Sequence, residues 1–256
     1  MDTDTELRQQ LTKLKLSGVL ESLEARLLEC QQNQIDYKTF LKMVLQDEIE
    51  RRKKRKIQRL IKKAKFGTIK VLEDFDMSLS TGLNPTQVRQ LATCDYIHRA
   101  EGVILTGPPG TGKTHLAKAL GHEACRRTLK TRFFSFNGLF QALARAELRE
   151  KLDRLKKRLI KADLLIIDDF AFRKIDQQQS ELLYEIIDGR YGARSTILTS
   201  NRAMGDWMGI FPDPVIAGAV LDRLTHQAHQ IQLKGESVRK KLGLSMLNDD
   251  VDTNTD

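Results

Sequence analysis

Residues 103–115 read VILTGPPGTGKTH. Val103, Ile104 and Leu105 form a short apolar run suited to a buried strand. The residues after Thr114 place Leu116, Leu120 and Ala124 on one helical face. Between them lies Gly-x4-Gly-Lys-Thr, from Gly107 to Thr114, the phosphate-binding P-loop pattern in its strand–loop–helix setting. Gly107, Gly110 and Gly112 let the backbone close around phosphate oxygens, because no Cβ blocks the approach. The segment Pro108-Pro109-Gly110-Thr111 and the helix start, through His115, mark out a nucleotide-binding stretch whose helix dipole favours an anion. Lys113 adds a mobile charge for the β- and γ-phosphates, and Thr114 a hydroxyl for Mg²⁺. A Gly/Pro turn alone would account for the glycines but not for the lysine and hydroxyl at the helix start.

Downstream, Thr131 to Phe136 (TRFFSF) predicts a second strand, with Asn137 capping the helix that follows. Residues 148–163 (LREKLDRLKKRLIKAD) read as one charged helix running into Leu164-Leu165-Ile166-Ile167-Asp168-Asp169. A continuous apolar run of this kind suits a parallel strand buried on both faces. Ligands of open α/β sheets bind beyond the strands' carboxyl ends, where the two aspartates would emerge. Asp168 is the candidate to hold Mg²⁺ with Thr114, and Asp169 the candidate to orient the attacking water. Gln179 to Tyr191 predicts a helix with Leu182, Leu183, Ile186 and Ile187 inward. Ser195 to Asn201 (STILTSN) predicts a strand whose Asn201 reaches the γ-phosphate region. Asp213 to His226 reads as a helix with Arg223 near its end, and Gln230 to Lys234 as a last short strand.

Upstream, residues 5–65 read as helix throughout, with Gly18 breaking or bending the pattern and Asp36 as an N-cap. Tyr37, Phe40, Leu41, Val44, Leu45 and Ile49 make one apolar stripe, expected to pack inside a helical bundle. The same helix then carries Arg51, Arg52, Lys53, Lys54, Arg55 and Lys56, followed by Arg59, Lys62 and Lys63. Isolated charge runs are usually solvated faces. On an amphipathic helix the run presents a cationic ridge suited to DNA or RNA phosphates, and the formal net charge of +9 agrees with a polyanionic partner. Residues 66–84 look like an irregular linker, and Asn84-Pro85 a helix start. No apolar run approaches a membrane span, and the polar N-terminus is no signal peptide, so a cytoplasmic protein is expected. Cys30, Cys94 and Cys125 are odd in number and form no CxxC pair, which fits a reducing compartment. His226 and His229 lack a nearby third ligand, which favours a structural or solvent role over a metal.

The ordered set GPPGTGKT, LLIIDD, TSN and DRL, followed by a late arginine, resembles the AAA+ branch of P-loop ATPases. More narrowly, LLIIDDF, DGRYGARSTILTSN, DPVIAGAVLDRLTHQAH and IQLKGESVR resemble the IstB-type transposition helper ATPases, cousins of the DnaC-type helicase loaders. The resemblance implies an α/β fold, a three-layer AAA+ sandwich with a mainly parallel sheet, preceded by an all-α N-terminal domain. Residues 1–66 are expected as a basic helical domain and 67–243 as the ATPase domain with a minimal lid, and the acidic, polar composition of the end makes 244–256 an expected disordered tail. The resemblance makes Asn201 the γ-phosphate sensor, Arg223 the arginine finger offered to a neighbouring subunit, and Arg239 a second sensor in its own subunit. Arg190 becomes a further candidate for a subunit boundary. ATP and Mg²⁺ are the implied ligands; duplex DNA, a transposase and further copies of the chain are the implied partners, with the nucleoid as the place of action. Asp169 stands where the family pattern usually has Glu, one methylene longer, which implies slow or partner-stimulated hydrolysis. After Gly235 little chain remains for a full helical lid, which weakens the role of Arg239. A DnaC-type helicase loader, a small-molecule phosphotransferase and a non-hydrolysing ATP clamp are the competing readings.

Overall fold

The computed structural model describes residues 3–75 and 82–235. The chain divides into two units, Met1–Arg59 and Leu60–Asp256. The first holds α1 (Thr3–Lys13), α2 (Ser17–Asn33) and most of α3 (Tyr37–Ala64). Asp36 starts α3 as expected, its carboxylate accepting from the Lys38 and Thr39 amides at 2.9 and 3.1 Å. Gly18 does not break a helix. It sits in the first turn of α2, where a Cβ would lie 2.6 Å from the Glu48 Cα, so the glycine lets α2 and α3 approach. The chain reverses instead at Lys15, in the left-handed region at φ 57°. Glu48 is buried and accepts from the Gly18 amide at 2.5 Å, satisfying a donor that helix starts leave without a partner.

The stripe on α3 divides. Val44 packs with Leu11, Val19, Leu23 and the partly buried Phe40 in a small core. Tyr37, Leu41, Leu45 and Ile49, displaced around the helix from that face, are exposed. They are not the inward face that periodicity suggested: α3 turns Phe40, Val44 and Glu48, at successive four-residue steps, toward the other helices of this unit.

The second unit is built on a five-stranded parallel sheet in the order β2-β3-β4-β1-β5. The strands are β1 (Gly102–Thr106), β2 (Thr131–Ser135), β3 (Leu164–Asp168), β4 (Ser195–Ser200) and β5 (Ala228–Gln232). Alternate residues feed two cores. Val103, Leu105, Leu164 and Ile166 meet α4 (Pro85–Ala92) and α6 (Lys113–Arg126) on one face. Ile104, Leu165 and Ile167 meet α7 (Phe136–Glu147), α9 (Gln177–Asp188) and α10 (Pro214–Thr225) on the other. The short helices α5 (Asp95–His98) and α8 (Leu152–Ile160) complete the two outer layers. Every residue of β3 is buried, which explains its uninterrupted apolar run.

Three local expectations change. The last strand runs over Ala228–Gln232 and not Gln230 to Lys234, because the whole segment pairs with β1 from Gly102↔Ala228 to Thr106↔Gln232. Ser135, not Asn137, caps α7, accepting from the Gly138 amide at 3.1 Å. Residues 148–163 do not form one helix; the chain breaks after α7, with Glu150 left-handed at φ 53°, and restarts as α8. Arg190 is also not at a surface. It is 1% exposed, and its guanidinium donates to the carbonyls of Leu159, Ile160, Ala162 and Ser195 and to the Thr196 hydroxyl. It ties the end of α8 to the start of β4 and cannot serve as a boundary residue. Replacing Arg190 with methionine fills similar space but strands these acceptors. Urea unfolding should show a loss of roughly 3–5 kcal/mol; a loss below ~1 kcal/mol would mean that the arginine is no strut.

Candidate functional site

Because the sheet is parallel, the carboxyl ends of β1, β3 and β4 open on one edge. There the loop after β1, the aspartates after β3 and the tip of β4 line a cleft of about 480 Å³ that includes Gly110, Lys113, Thr114, Asp168, Asp169 and Asn201. The loop is built on glycine. Gly107, Gly110 and Gly112 have φ of 143°, 84° and 94°, conformations that L side chains rarely adopt. At Gly107 a Cβ would lie 2.1 Å from the Leu233 carbonyl, so the chain leaving β5 crosses directly over it. Lys113 turns back into the loop, its Nζ donating to the Gly107 and Pro108 carbonyls at 2.8 and 2.7 Å. Thr111 closes the same turn on the Pro108 carbonyl at 2.9 Å. No side chain caps the start of α6, whereas Asn84, Ser135, Asp176 and Asp213 cap α4, α7, α9 and α10. Gly112, Lys113, Thr114 and His115, at the start of α6, line the cleft, and a helix N-terminus favours an anion there.

The β3 end carries a chain of short contacts. The Thr114 hydroxyl donates to Asp168 Oδ1 at 2.8 Å, and the Thr199 hydroxyl donates to the same oxygen at 2.5 Å. Thr199 Oγ1 in turn accepts from the Asp169 amide at 3.0 Å. Asn201 Nδ2 donates to Asp169 Oδ1 at 3.2 Å. Asp169 is left-handed at φ 55°, a conformation that aspartate tolerates better than most residues, and this turn brings its carboxylate to Asn201. Burial raises the Asp168 carboxyl above the ordinary carboxylate range, and the Asp169 charge adds to this. The Thr199 and Thr114 hydroxyls pull the other way. A buried carboxylate pushed toward its neutral form beside a hydroxyl oxygen is a donor pair suited to a hard cation that keeps most of its water.

His115 also lines the cleft, its Nε2 3.3 Å from the Val71 carbonyl and its ring edge-on to Phe75 at 5.2 Å. Burial holds its pKa below the ordinary histidine value. Arg223 is not among the cleft's lining residues. It lies in the last turn of α10, donating to Asp188 Oδ1 and to the Ala219 carbonyl, each at 2.8 Å, with Tyr184 and Tyr191 beside the guanidinium. Arg239 lies outside the described residues. His226 meets the Tyr191 hydroxyl at 3.0 Å and His229 meets Glu101 at 2.8 Å, two separate contacts.

Thr199 was hidden in the sequence. In TSN the asparagine is the residue with an evident polar role at the strand tip, while the threonine two residues earlier reads as ordinary strand filling. Its signal was register: Leu198 pairs with Ile167, so Thr199 stands beside Asp168. Lys118, one helical turn beyond Thr114, also reaches the cleft. On α3, Lys53, Lys54, Lys56, Arg59, Lys62 and Lys63 are exposed. Arg51 pairs with Glu21, Arg52 donates to Glu48 at 2.6 Å, and Arg55 donates to the Ser17 hydroxyl at 2.8 Å.

The raised Asp168 pKa has a thermodynamic sign. The folded state favours the protonated acid, so ionisation destabilises the ligand-free protein above the folded pKa, and this penalty vanishes below the unfolded value. Asp168→Asn should therefore raise the melting temperature of the nucleotide-free protein at pH 7, with the advantage shrinking as the pH is lowered toward about 4. A variant less stable than the parent at pH 7 would contradict this.

A model of the family described as IstB-like ATP binding protein matches residues 9–245. The chain is 38% identical over 239 residues to an insertion-sequence ATP-binding protein of Mycobacterium tuberculosis, covering 93% of this chain and 95% of that relative. It is 36% identical over 236 residues to an ATP-binding protein of insertion sequence IS21 in Pseudomonas aeruginosa, covering 92% and 89%. A crystal structure of the DnaC helicase loader matches with a TM-score of 0.53 at 22% identity, over 66% of this chain and 98% of that one, a likeness of fold. Among the described residues no helix is long and apolar enough to cross a membrane.

Proposed function

The chain belongs to the IstB-like ATP binding protein family, with an AAA+ fold, and from that premise we propose that it is a DNA-binding ATPase that assembles with copies of itself and assists a transposase. The observation that supports this best is the convergence of Thr114, Asp168, Thr199, Asp169 and Asn201 at the end of three parallel strands, facing the glycine loop. In the proposed reaction the loop amides and Lys113 bind the triphosphate. Thr114 and Asp168 hold the magnesium ion, which supplies charge neutralisation on the phosphate oxygens. Asp169, steadied by Asn201, accepts a hydrogen bond from the attacking water and orients it. The shorter side chain of aspartate, compared with glutamate, favours slow turnover that a partner accelerates.

Arg223 completes the site from the next subunit. Its absence from the cleft of its own chain, and its partly exposed place on α10 with only part of its donor set engaged by Asp188 and Ala219, suit a guanidinium that turns to a neighbour's nucleotide. A finger supplied in trans stabilises charge growing on the transferring phosphoryl group. ATP binding then favours assembly and hydrolysis favours release. The exposed lysines of α3 bind duplex phosphates, and the setting is the bacterial cytoplasm at the nucleoid. A helicase loader would share the fold, but the family match and the insertion-sequence relatives favour transposition.

The test is a mixture. Arg223→Ala and Lys113→Ala should each lower ATP hydrolysis, the first by about 10³-fold or more. Mixing the two should restore a measurable fraction, because some interfaces then combine an intact loop with an intact finger. A fully active Arg223→Ala protein, or a mixture no better than its components, would overturn the shared site.

A further inference from the structure

The ATPase unit carries a second cationic feature that the nucleotide cleft does not use. A groove of about 710 Å³ runs between the end of α3, the β2 edge strand, α7 and α8. Nine cationic side chains line it, and none of its lining residues is a carboxylate. They come from separate stretches of chain. Lys62, Lys63 and Lys65 stand at one wall, with Arg132 from β2 at the floor. Arg145, Arg149, Arg154 and Arg158 stand at the other wall and are exposed.

A charge run in sequence is usually a solvated face. Here folding itself gathers like charges from four segments into one concavity, which costs energy unless an anion compensates it. Among the described residues no ion pair joins an acid to any of these nine cations. On α8 Asp153 meets Lys156 at 3.2 Å, Lys156 also meets Glu185 at 2.8 Å, and Glu147 accepts from Gln178 at 3.0 Å. Arg132 is half-buried, and its Nη1 donates to the Lys63 and Thr131 carbonyls at 3.3 and 2.8 Å, holding the floor in place. Burial and the neighbouring Arg158 charge hold its pKa below the ordinary arginine value, as expected where positive potential accumulates. The aromatic in the lining, Phe134, is half-buried and packs into the core beneath, so the groove offers charge without an exposed stacking platform. Charge without stacking suits a duplex backbone better than splayed bases.

We infer that this groove seats the phosphate backbone of duplex DNA, so that the ATPase unit grips DNA itself, beyond the exposed Lys53, Lys54 and Lys56 earlier on α3. The inference rests on the DNA-binding reading above and extends it to a second site.

The experiment measures duplex affinity of the full chain, loaded with an ATP analogue, across a salt series. Three proteins are compared: the parent, a groove variant (Arg149→Gln, Arg154→Gln, Arg158→Gln) and a ridge variant (Lys53→Gln, Lys54→Gln, Lys56→Gln). The groove variant should bind duplex at least about tenfold more weakly, and its log-affinity against log-salt slope should become shallower by roughly 0.9 for each phosphate that the protein no longer neutralises. Its affinity for the analogue should stay at the parent value, which shows that it is folded. If the groove variant keeps the parent's affinity and slope while the ridge variant loses binding, the second seat is rejected and the DNA-binding reading stands. If the weakening appears with single-stranded DNA but not with duplex, the duplex assignment is overturned. A parent with no salt-dependent affinity for DNA would overturn both readings.

Discussion

One oxygen of Asp168 accepts hydrogen bonds from Thr114 on α6 and Thr199 on β4, and this joint fixes the geometry of the cleft. It ties together the helix that follows the glycine loop and two neighbouring strands. The carboxylate is buried and carries a desolvation penalty that two hydroxyls only partly offset. A charge kept in such a place at the expense of stability points to a ligand that compensates it. The parallel sheet is the precondition: only strands running the same way deliver the loop, the acids and the asparagine to one edge.

Much of this was legible in the sequence because the site's residues lie at the ends of strongly patterned elements. The loop needs glycines at fixed spacing, and β3 is buried on both faces, so both leave a clear trace. The strand after Lys161, the helix with Leu183 and Ile186 inward and the helix that begins at Asp213 all appear close to where periodicity placed them. What the sequence hid depends on which elements become neighbours. Thr199 matters because β4 pairs with β3, and a single sequence does not state strand order. Gly18 looked like a helix breaker; its reason is the close passage of Glu48, thirty positions away. The outward Tyr37–Leu41–Leu45 face could not be told from an inward one, because periodicity marks a stripe and not its partner.

Arg190 and Arg223 show the same ambiguity in charge. Arg190 lies in the turn after α9 and Arg223 in the last turn of α10, and the resemblance alone offers both as groups facing a neighbouring subunit. Arg190 is enclosed and saturated by backbone carbonyls. Arg223 is partly exposed and held by one carboxylate and one carbonyl. Burial and partners, rather than residue type, separate a strut from a group able to act elsewhere. The same distinction divides the basic run of α3, where Arg51, Arg52 and Arg55 are engaged within the helical unit and the lysines between them are exposed.

The central claim is that the triphosphate and its magnesium ion share a site whose metal half is Asp168 with Thr114. The most direct measurement is calorimetric titration of a slowly hydrolysed ATP analogue into the parent and Asp168→Ala, each across a magnesium series and in chelator. The account predicts that the parent gains affinity steeply with magnesium, whereas the variant keeps the metal-free affinity and loses most of that gain. An Asp168→Ala protein with the parent's full magnesium dependence would contradict it.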